Sequence, residues 1–187
     1  GDTRVGTAFP AGGVATLNLT SVAVGSHTYV ARFVPTNDGD FSPSESAAQS
    51  VTVKTPAAVT VTGAPAPYGK AKSVTVKALV GGAAATGTVS VKVGSAAAKT
   101  FPLSAAGTVV VPVPATTPAG TLAITATLSG TASVDAATGT LRLSVAKAKA
   151  KASARLAKTK IKTSKRGVVT VKVAAPGKVT GKVTIRA

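Results

Sequence analysis

Apolar and polar residues alternate in short runs along most of the chain, and Gly and Pro separate the runs. Alternation with a period of two predicts β-strands, and no stretch keeps the 3.6-residue period of a helix. In one run, for example, Leu122, Ile124, Ala126 and Leu128 fall on the same face. The middle of the chain predicts seven strands, at 58–63, 73–80, 87–94, 98–103, 107–114, 120–128 and 140–146. Such a series of short strands is typical of an antiparallel β-sandwich.

The segments on either side of this set carry fewer strands. Residues before 55 predict strands at 14–20, 27–34 and 50–54, and the C-terminal residues predict strands at 167–173 and 181–187. The connection at 55–58 is short and contains proline, which predicts stiffness, whereas the basic stretch after 146 predicts an extended linker. Pro112 lies inside a predicted strand and therefore requires a sheet edge or a bulge.

The chain also repeats itself with a period near 95 residues. VTVK at 74–77 recurs 95 residues later at 169–172, and TGTVSV at 86–91 recurs 94 residues later as TGKVTI. Gly25 and Gly120 each open an alternating run and are again 95 residues apart. A repeat of this kind indicates stacked copies of one unit. It divides the chain into the back of one module (1–54), a complete module (55–146), a basic linker with the start of the next module (147–166), and the first strands of a third module (167–187).

Composition narrows the possible functions. Apolar residues make up 44% of the 187 residues but aromatic residues only 3%, which predicts a thin core of small side chains. There is no Cys, and five acidic residues and one His leave little for metal binding or acid–base catalysis. We therefore expect no enzyme activity, no cofactor and no metal. The longest apolar runs, such as 78–85, are far too short to predict a membrane span.

The charge is unevenly distributed. The formal net charge is +17, and no acidic residue follows Asp135. Clustered cations attract anionic polymers without regard to sequence, so the run at 146–166 is a candidate site for teichoic acid, anionic lipid or polysaccharide, or DNA. Its candidate residues are Lys147, Lys149, Lys151, Arg155, Lys158, Lys160, Lys162, Lys165 and Arg166. No aromatic residue follows Phe101, which argues against a specific nucleic-acid reader. The alternative is a solvated linker kept open by charge repulsion.

Three smaller features have ordinary structural interpretations that we favour. His27 lacks a second His or any Cys as a partner and is expected to be a packing or rim histidine. Asn37, Asp38 and Asp40 offer the oxygen ligands of a calcium site, but the same residues are common in turns. Asn18 begins a glycosylation sequon and is expected on the solvent face of a strand.

Three sequence blocks resemble the tandem Ig-like repeats of bacterial secreted and cell-surface proteins, notably those of actinobacteria. They are the Thr-Gly-x-Val strands at 86–91 and 180–185, the block GGVATLNLTSVAVGSHTYVARF at 12–33, and the turn GDFSPSES at 39–46. The middle module departs from the third block. Its corresponding residues, 130–139, read GTASVDAATG and lack both the aromatic residue and the Pro-Ser pair. The resemblance implies an Ig-like sandwich, an extracellular or cell-surface location, and neighbouring Ig-like modules of the same or an adjacent chain as partners. It favours a non-catalytic spacer or stalk.

The first and last residues of the chain correspond to the same position within the repeat. Ala187 aligns with Val93, and Gly1 aligns near 93–95, so the two incomplete modules together nearly make one. The favoured expectation is that this chain is a piece of a longer protein whose flanking sequence completes both modules. The alternatives are a head-to-tail fibre, in which the tail of one chain completes the head of the next, and closure of the two halves on each other.

Overall fold

The computed structural model describes all residues except 1, 2, 38, 161, 164 and 187. The described residues contain fifteen strands and no helix, which confirms the predicted all-β class. They form two compact units. The first consists of the described residues up to Pro56 together with Gly130–Ala136, and the second consists of Ala57–Ser129 with the described residues from Ala137 onward.

Two sheets form the centre of the second unit. One sheet has the order β11-β7-β5, with β8 paired to β7, and the other has the order β10-β9-β12-β13-β6. All of these neighbours are antiparallel except β13 and β6, which are parallel. The strands are β5 (Ala57–Thr62), β6 (Ala66–Pro67), β7 (Lys72–Val80), β8 (Ala83–Ala84), β9 (Thr88–Val93), β10 (Lys99–Pro102), β11 (Thr108–Val113), β12 (Gly120–Leu128) and β13 (Ala137–Ala146). The seven strands predicted for this region are all present.

The two sheets share one hydrophobic core, and the alternating pattern explains why. Every second residue of β7 is buried, including Val74 and Val76, which have no exposed surface. Ile124 on β12 and Leu143 on β13 contribute from the other sheet to the same cluster. The core consists almost entirely of Val, Ala, Leu and Ile, as the composition predicts.

Pro112 occupies the position that its chemistry requires. It lies on β11, which pairs only with β7 and is therefore an edge strand of its sheet. Its side chain is exposed, whereas its neighbours Val111 and Val113 are buried. The prediction of an edge for this proline is confirmed.

The first unit contains two small sheets. β1 (Gly25–Tyr29) pairs with β4 (Gln49–Val53), and β2 (Arg32–Phe33) pairs with β3 (Ser44–Glu45). None of its described residues before 57 is buried. The predicted strand at 14–20 is wrong, because these residues lie outside any named strand and only an isolated bridge joins Val14 to Ala11.

A hairpin follows β13. β14 (Lys151–Leu156) pairs with β15 (Val169–Ala174) along its whole length. The basic linker predicted within 147–166 is shorter than expected, because only residues 147–150 separate β13 from β14. Ala152, Ala154 and Leu156 alternate with polar residues, and the many lysines obscure this strand pattern. The predicted strand at 181–187 is absent over its described residues.

Candidate anion-binding site

The structure divides the basic run into three parts. Lys147 and Lys149 lie in the connection between β13 and β14, and Lys151 and Arg155 lie on β14 itself. The remaining candidates, Lys158, Lys160, Lys162, Lys165 and Arg166, lie in the loop 157–168 that joins β14 to β15. The nine candidate residues therefore do not form one continuous surface on an extended chain.

The five basic residues of the loop surround a single cavity. Its volume is about 530 Å³, and its lining consists of Ala157, Lys158, Lys160, Lys162, Lys165, Arg166, Gly167 and Val168. Ligand pockets usually measure about 300–1,000 Å³, so the cavity is large enough for a multivalent anion. The other four candidates do not line it. We call the five basic residues with this cavity the basic loop.

Two backbone hydrogen bonds shape the basic loop, one that joins its two ends and one within it. At its base, the Ala157 amide donates to the Val168 carbonyl over 3.0 Å, which extends the β14–β15 pairing by one step. Within it, the Lys165 amide donates to the Lys162 carbonyl over 2.9 Å and forms a tight turn. The hairpin thus fixes the two points from which the basic side chains emerge.

The electrostatics of the basic loop follow from the sequence around it. No Asp or Glu occurs after residue 135, so neither the loop nor the hairpin supplies a carboxylate of its own to neutralise these cations. Four of the five are lysines, whose ammonium groups act as mobile point charges, and Arg166 adds a planar donor suited to phosphate oxygens. The arrangement suits a ligand with several anionic oxygens.

The lining also limits the chemistry that the basic loop can perform. Among the described residues that line it, none carries a carboxylate, imidazole or hydroxyl that could act as a base or nucleophile. It contains no aromatic ring on which a nucleobase could stack. The described lining is positively charged and offers no aromatic surface for reading a base sequence.

His27 lies on β1 and is half-buried. Its Nε2 lies 2.7 Å from the carbonyl oxygen of Ala23, and its ring stacks on that of Tyr29 with centroids 6.3 Å apart. These contacts agree with the rim position expected for this residue.

The candidate calcium turn is described only in part. The Asn37 amide donates to the carboxylate of Asp40, and the Gly39 amide donates to the Asn37 side-chain oxygen over 3.2 Å. These are the contacts of an ordinary polar turn. The third candidate ligand, Asp38, lies outside the described residues. Within the described part of the chain, no group of three or more His, Cys, Asp or Glu side chains could hold a metal ion.

Sequence reasoning identified the basic residues but missed their grouping. The signal that could have revealed it is the alternation of Ala152, Ala154 and Leu156, which predicts a strand and so turns the following residues into a hairpin loop. Asn18, the candidate glycosylation residue, is exposed and lies outside the strands.

Comparison with known proteins gives no relative from which a role could be transferred. No protein-family model and no curated protein matches the chain. In the described residues, no helix has the length and apolar character needed to cross a bilayer.

Proposed function

We propose that this chain is a non-catalytic spacer, built from tandem Ig-like sandwiches, in a secreted or cell-surface bacterial protein. Its partners are neighbouring modules of the same kind. The observation that carries the proposal is that an antiparallel strand pair resembling one of the central module lies on either side of it, β1–β4 before it and β14–β15 after it.

The order of strands in the central module supports an Ig-like topology. The first strand, β5, pairs with β7, and the chain then crosses to the other sheet, where β6 runs parallel to the last strand, β13. The remaining strands continue the pattern, with β11 beside β7 and with β9 and β12 adjacent in the opposite sheet. This order resembles the two-sheet arrangement of immunoglobulin-type sandwiches, without their Cys and Trp core, and so supports the proposed topology.

The β1–β4 pair of the first unit resembles the last two strands of the central module. In the β12–β13 pair, Gly120 lies opposite Val145, and in the β1–β4 pair, Gly25 lies opposite Val53. The two glycines adopt the same unusual backbone, with φ of 139° for Gly120 and 136° for Gly25. A side chain would be strained at this φ, so the shared conformation supports an equivalent role at the start of each strand.

The C-terminal hairpin resembles the pair formed by β5 and β7. Thr62 on β5 lies opposite Thr75 on β7, and Arg155 on β14 lies opposite Thr170 on β15. Thr170 lies 95 positions after Thr75, whereas Arg155 lies 93 positions after Thr62, so the two pairs correspond with offsets that differ by two residues. The connections before the first strand are also alike, since residues 54–56 separate β4 from β5 and residues 147–150 separate β13 from β14.

Short connections support a spacer, because they leave little free linker between successive strand pairs. Within the first unit, Thr55 exchanges two backbone hydrogen bonds with the segment 130–136, one with Ser133 over 2.8 Å and one with Asp135 over 3.0 Å. Within the second unit, Gly69 packs so closely against Pro176 that a side chain would not fit.

The first test of this proposal is the isolated central module. Residues 55–146 should fold alone into a β-sandwich, because the whole shared core lies within them. Far-UV circular dichroism should give a β spectrum, and heating should give one cooperative transition. A coil or helical spectrum for this fragment would contradict the proposal.

The basic loop favours a second function, the binding of an anionic polymer on the cell surface. The specific observation is that five basic residues of one loop line the same cavity. Because the lining lacks aromatic rings, we favour a phosphate-rich polymer without bases, such as a polyol phosphate, over nucleic acid.

Two charge-matched variants test this second function. The loop variant replaces Lys158, Lys160, Lys162, Lys165 and Arg166 by Gln, and the control replaces Lys147, Lys149, Lys172, Lys178 and Lys182 by Gln. Both lose five charges from the same end of the chain. Because attraction depends on clustered charge, the loop variant should lose roughly tenfold or more in affinity for long-chain inorganic polyphosphate, and the control much less.

Fluorescence anisotropy with labelled polyphosphate across a salt series measures this difference. Wild-type affinity should fall steeply with salt, because exposed charges are screened. Equal losses in the two variants would show diffuse attraction to the whole basic tail and contradict a site at the loop. Binding that persists unchanged at high salt would contradict an electrostatic mechanism, and tighter binding of single-stranded DNA would identify nucleic acid as the ligand.

A further inference from the structure

Hydroxyl groups cover the outer side of the five-stranded sheet in the central module. One row of four hydroxyl residues in register crosses four strands, from β10 to β13: Thr100, Ser90, Thr127 and Thr138. The hydroxyl oxygens of Thr127 and Thr138 lie 3.3 Å apart, which is within hydrogen-bond distance. The alternation of buried and less buried residues along β9, β12 and β13 places this row on the side that faces away from the core.

The next row adds cations to the hydroxyls. Lys92 on β9 lies opposite Thr125 on β12, and Thr125 lies opposite Thr140 on β13. Arg142 is two residues after Thr140 on the same strand, so it lies on the same side, one row further along. Neighbouring strands are about 4.8 Å apart and alternate residues of one strand about 6.8 Å apart, so these groups form a regular grid. We call the two rows, together with Arg142, the hydroxyl face.

The hydroxyl face has a narrow chemical character. All residues of its four strands are described, and none of them is Asp or Glu. Their one aromatic residue, Phe101, is half-buried and packs against the core. Threonine is branched at Cβ and therefore has little rotamer freedom to lose when a ligand binds. The face thus presents hydroxyl donors and acceptors in a fixed array with two positive charges.

The ratio of hydroxyls to cations indicates the kind of ligand that fits. Hydroxyl groups both donate and accept hydrogen bonds, so an array of them matches the hydroxyls of a sugar. Lys92 and Arg142 match anionic oxygens. Polyphosphate and nucleic acids carry a charge on every unit and would call for a denser set of cations. A sugar polymer whose rings carry both hydroxyls and carboxylates matches the whole face.

The opposite sheet of the module lacks this arrangement. Its outer side is interrupted by Val110, which is 61% exposed, and by Pro112. The hydroxyls of Thr60 and Thr62 on β5 donate to backbone carbonyls of β7, over 3.5 Å and 3.4 Å. The same module therefore supplies matched control positions on a second sheet surface.

We propose that the hydroxyl face binds an acidic polysaccharide, a polymer of uronic-acid sugars. Arg142 and Lys92 bind carboxylates of the polymer, and the Thr and Ser hydroxyls exchange hydrogen bonds with its ring hydroxyls. The site lies wholly within the central module, and both its position and its ligand differ from those of the basic loop. The inference depends neither on the spacer nor on the binding of an anion at that loop.

The first test removes the two charges of the face. The probe is oligomeric polygalacturonate, and every sample is the full 187-residue chain with the five Gln substitutions of the loop variant, so that the basic loop cannot contribute. Lys92→Gln with Arg142→Gln should weaken binding roughly fivefold or more, because two exposed ion pairs are lost. Lys70→Gln with Lys77→Gln is the charge-matched control, since both lysines are exposed, belong to the same module and lie off the face. It should change the affinity much less.

The second test removes hydroxyls without changing charge. Thr125→Val with Thr127→Val should weaken binding roughly fivefold or more, because the hydrogen bonds of two hydroxyls are lost. Thr60→Val with Thr62→Val makes the same change at alternate residues of a strand in the opposite sheet and should have little effect. Valine keeps the shape of threonine and a strong preference for strands, so both variants should fold, which far-UV circular dichroism checks.

NMR titration of the amide signals measures the affinities and locates the site. The shifts should concentrate on β9, β12 and β13, and fully methyl-esterified polygalacturonate, which has the same ring hydroxyls but no charge, should bind more weakly. Absence of polygalacturonate binding, equal losses in a variant and its control, or equally tight binding of the methyl ester would overturn the proposal. Tighter binding of polyphosphate at this face would overturn it in favour of a phosphate polymer. Because the basic loop is neutralised in every sample, none of these results decides the tests of the spacer or of the loop.

Discussion

Replacing Leu143 by Ala should destabilise the central module by about 3 kcal/mol, which is the usual size of a large-to-small change in a packed core. Leu143 lies on β13 with only 1% of its surface exposed and belongs to the cluster shared by both sheets. The core consists mainly of small side chains, so few large residues remain to fill the space that Leu143 leaves. Small domains are stable by only about 5–15 kcal/mol in total, so this loss is a large part of the whole.

Thermal and urea unfolding of residues 55–146 measure the effect. The midpoint of thermal unfolding should fall by roughly 10 °C or more. Ser144→Ala is the matched control, because Ser144 is the next residue on β13 and faces solvent. It should change the free energy of unfolding by less than about 0.5 kcal/mol. Equal effects from the two substitutions would contradict the assignment of Leu143 to a shared core.

The strands of the central module could be predicted from the sequence because all their partners lie within the same stretch of chain. A segment with alternating apolar residues forms a strand only when a neighbouring strand satisfies its backbone hydrogen bonds. Every predicted strand between 58 and 146 has such a neighbour, and each one forms. The edge position of Pro112 followed from the missing amide of proline alone.

The same dependence explains the two predictions that failed. Residues 14–20 and 181–186 alternate as clearly as the strands that form, but the partners that the repeat assigns to them lie at the opposite end of the chain. A pattern in one segment reports which face is apolar, but it does not report whether a partner is present.

The candidate site was also predictable only in part. Charge counting identifies which end of the chain is basic. It does not separate Lys151 and Arg155, which lie on β14, from the five residues that converge in the loop after it. That separation depends on the pairing of β14 with β15, which brings Ala157 and Val168 together across a long loop.

Joining the two incomplete ends in the order of the repeat should produce a folded module. The fused chain places residues 147–187 directly before residues 1–54. It contains counterparts of the main strands of the central module, beginning with β14 and β15 and ending with β1 and β4. The junction falls at the counterpart of the turn between β9 and β10, where a connection costs little. No described residue of either piece is buried, so neither piece alone has a core that could offset the entropy of ordering the chain.

The central claim, that the chain consists of pieces of one repeated sandwich, is tested most directly by thermal melts of this fused chain beside its two separate pieces. We expect the fused chain to give the β spectrum and single cooperative transition of residues 55–146, and the same fusion with Leu17→Asp, at the counterpart of the buried Val111, to lose that transition. The separate pieces should show no cooperative unfolding. A fused chain that remains a coil while residues 55–146 fold normally would contradict the repeat and, with it, the proposed spacer.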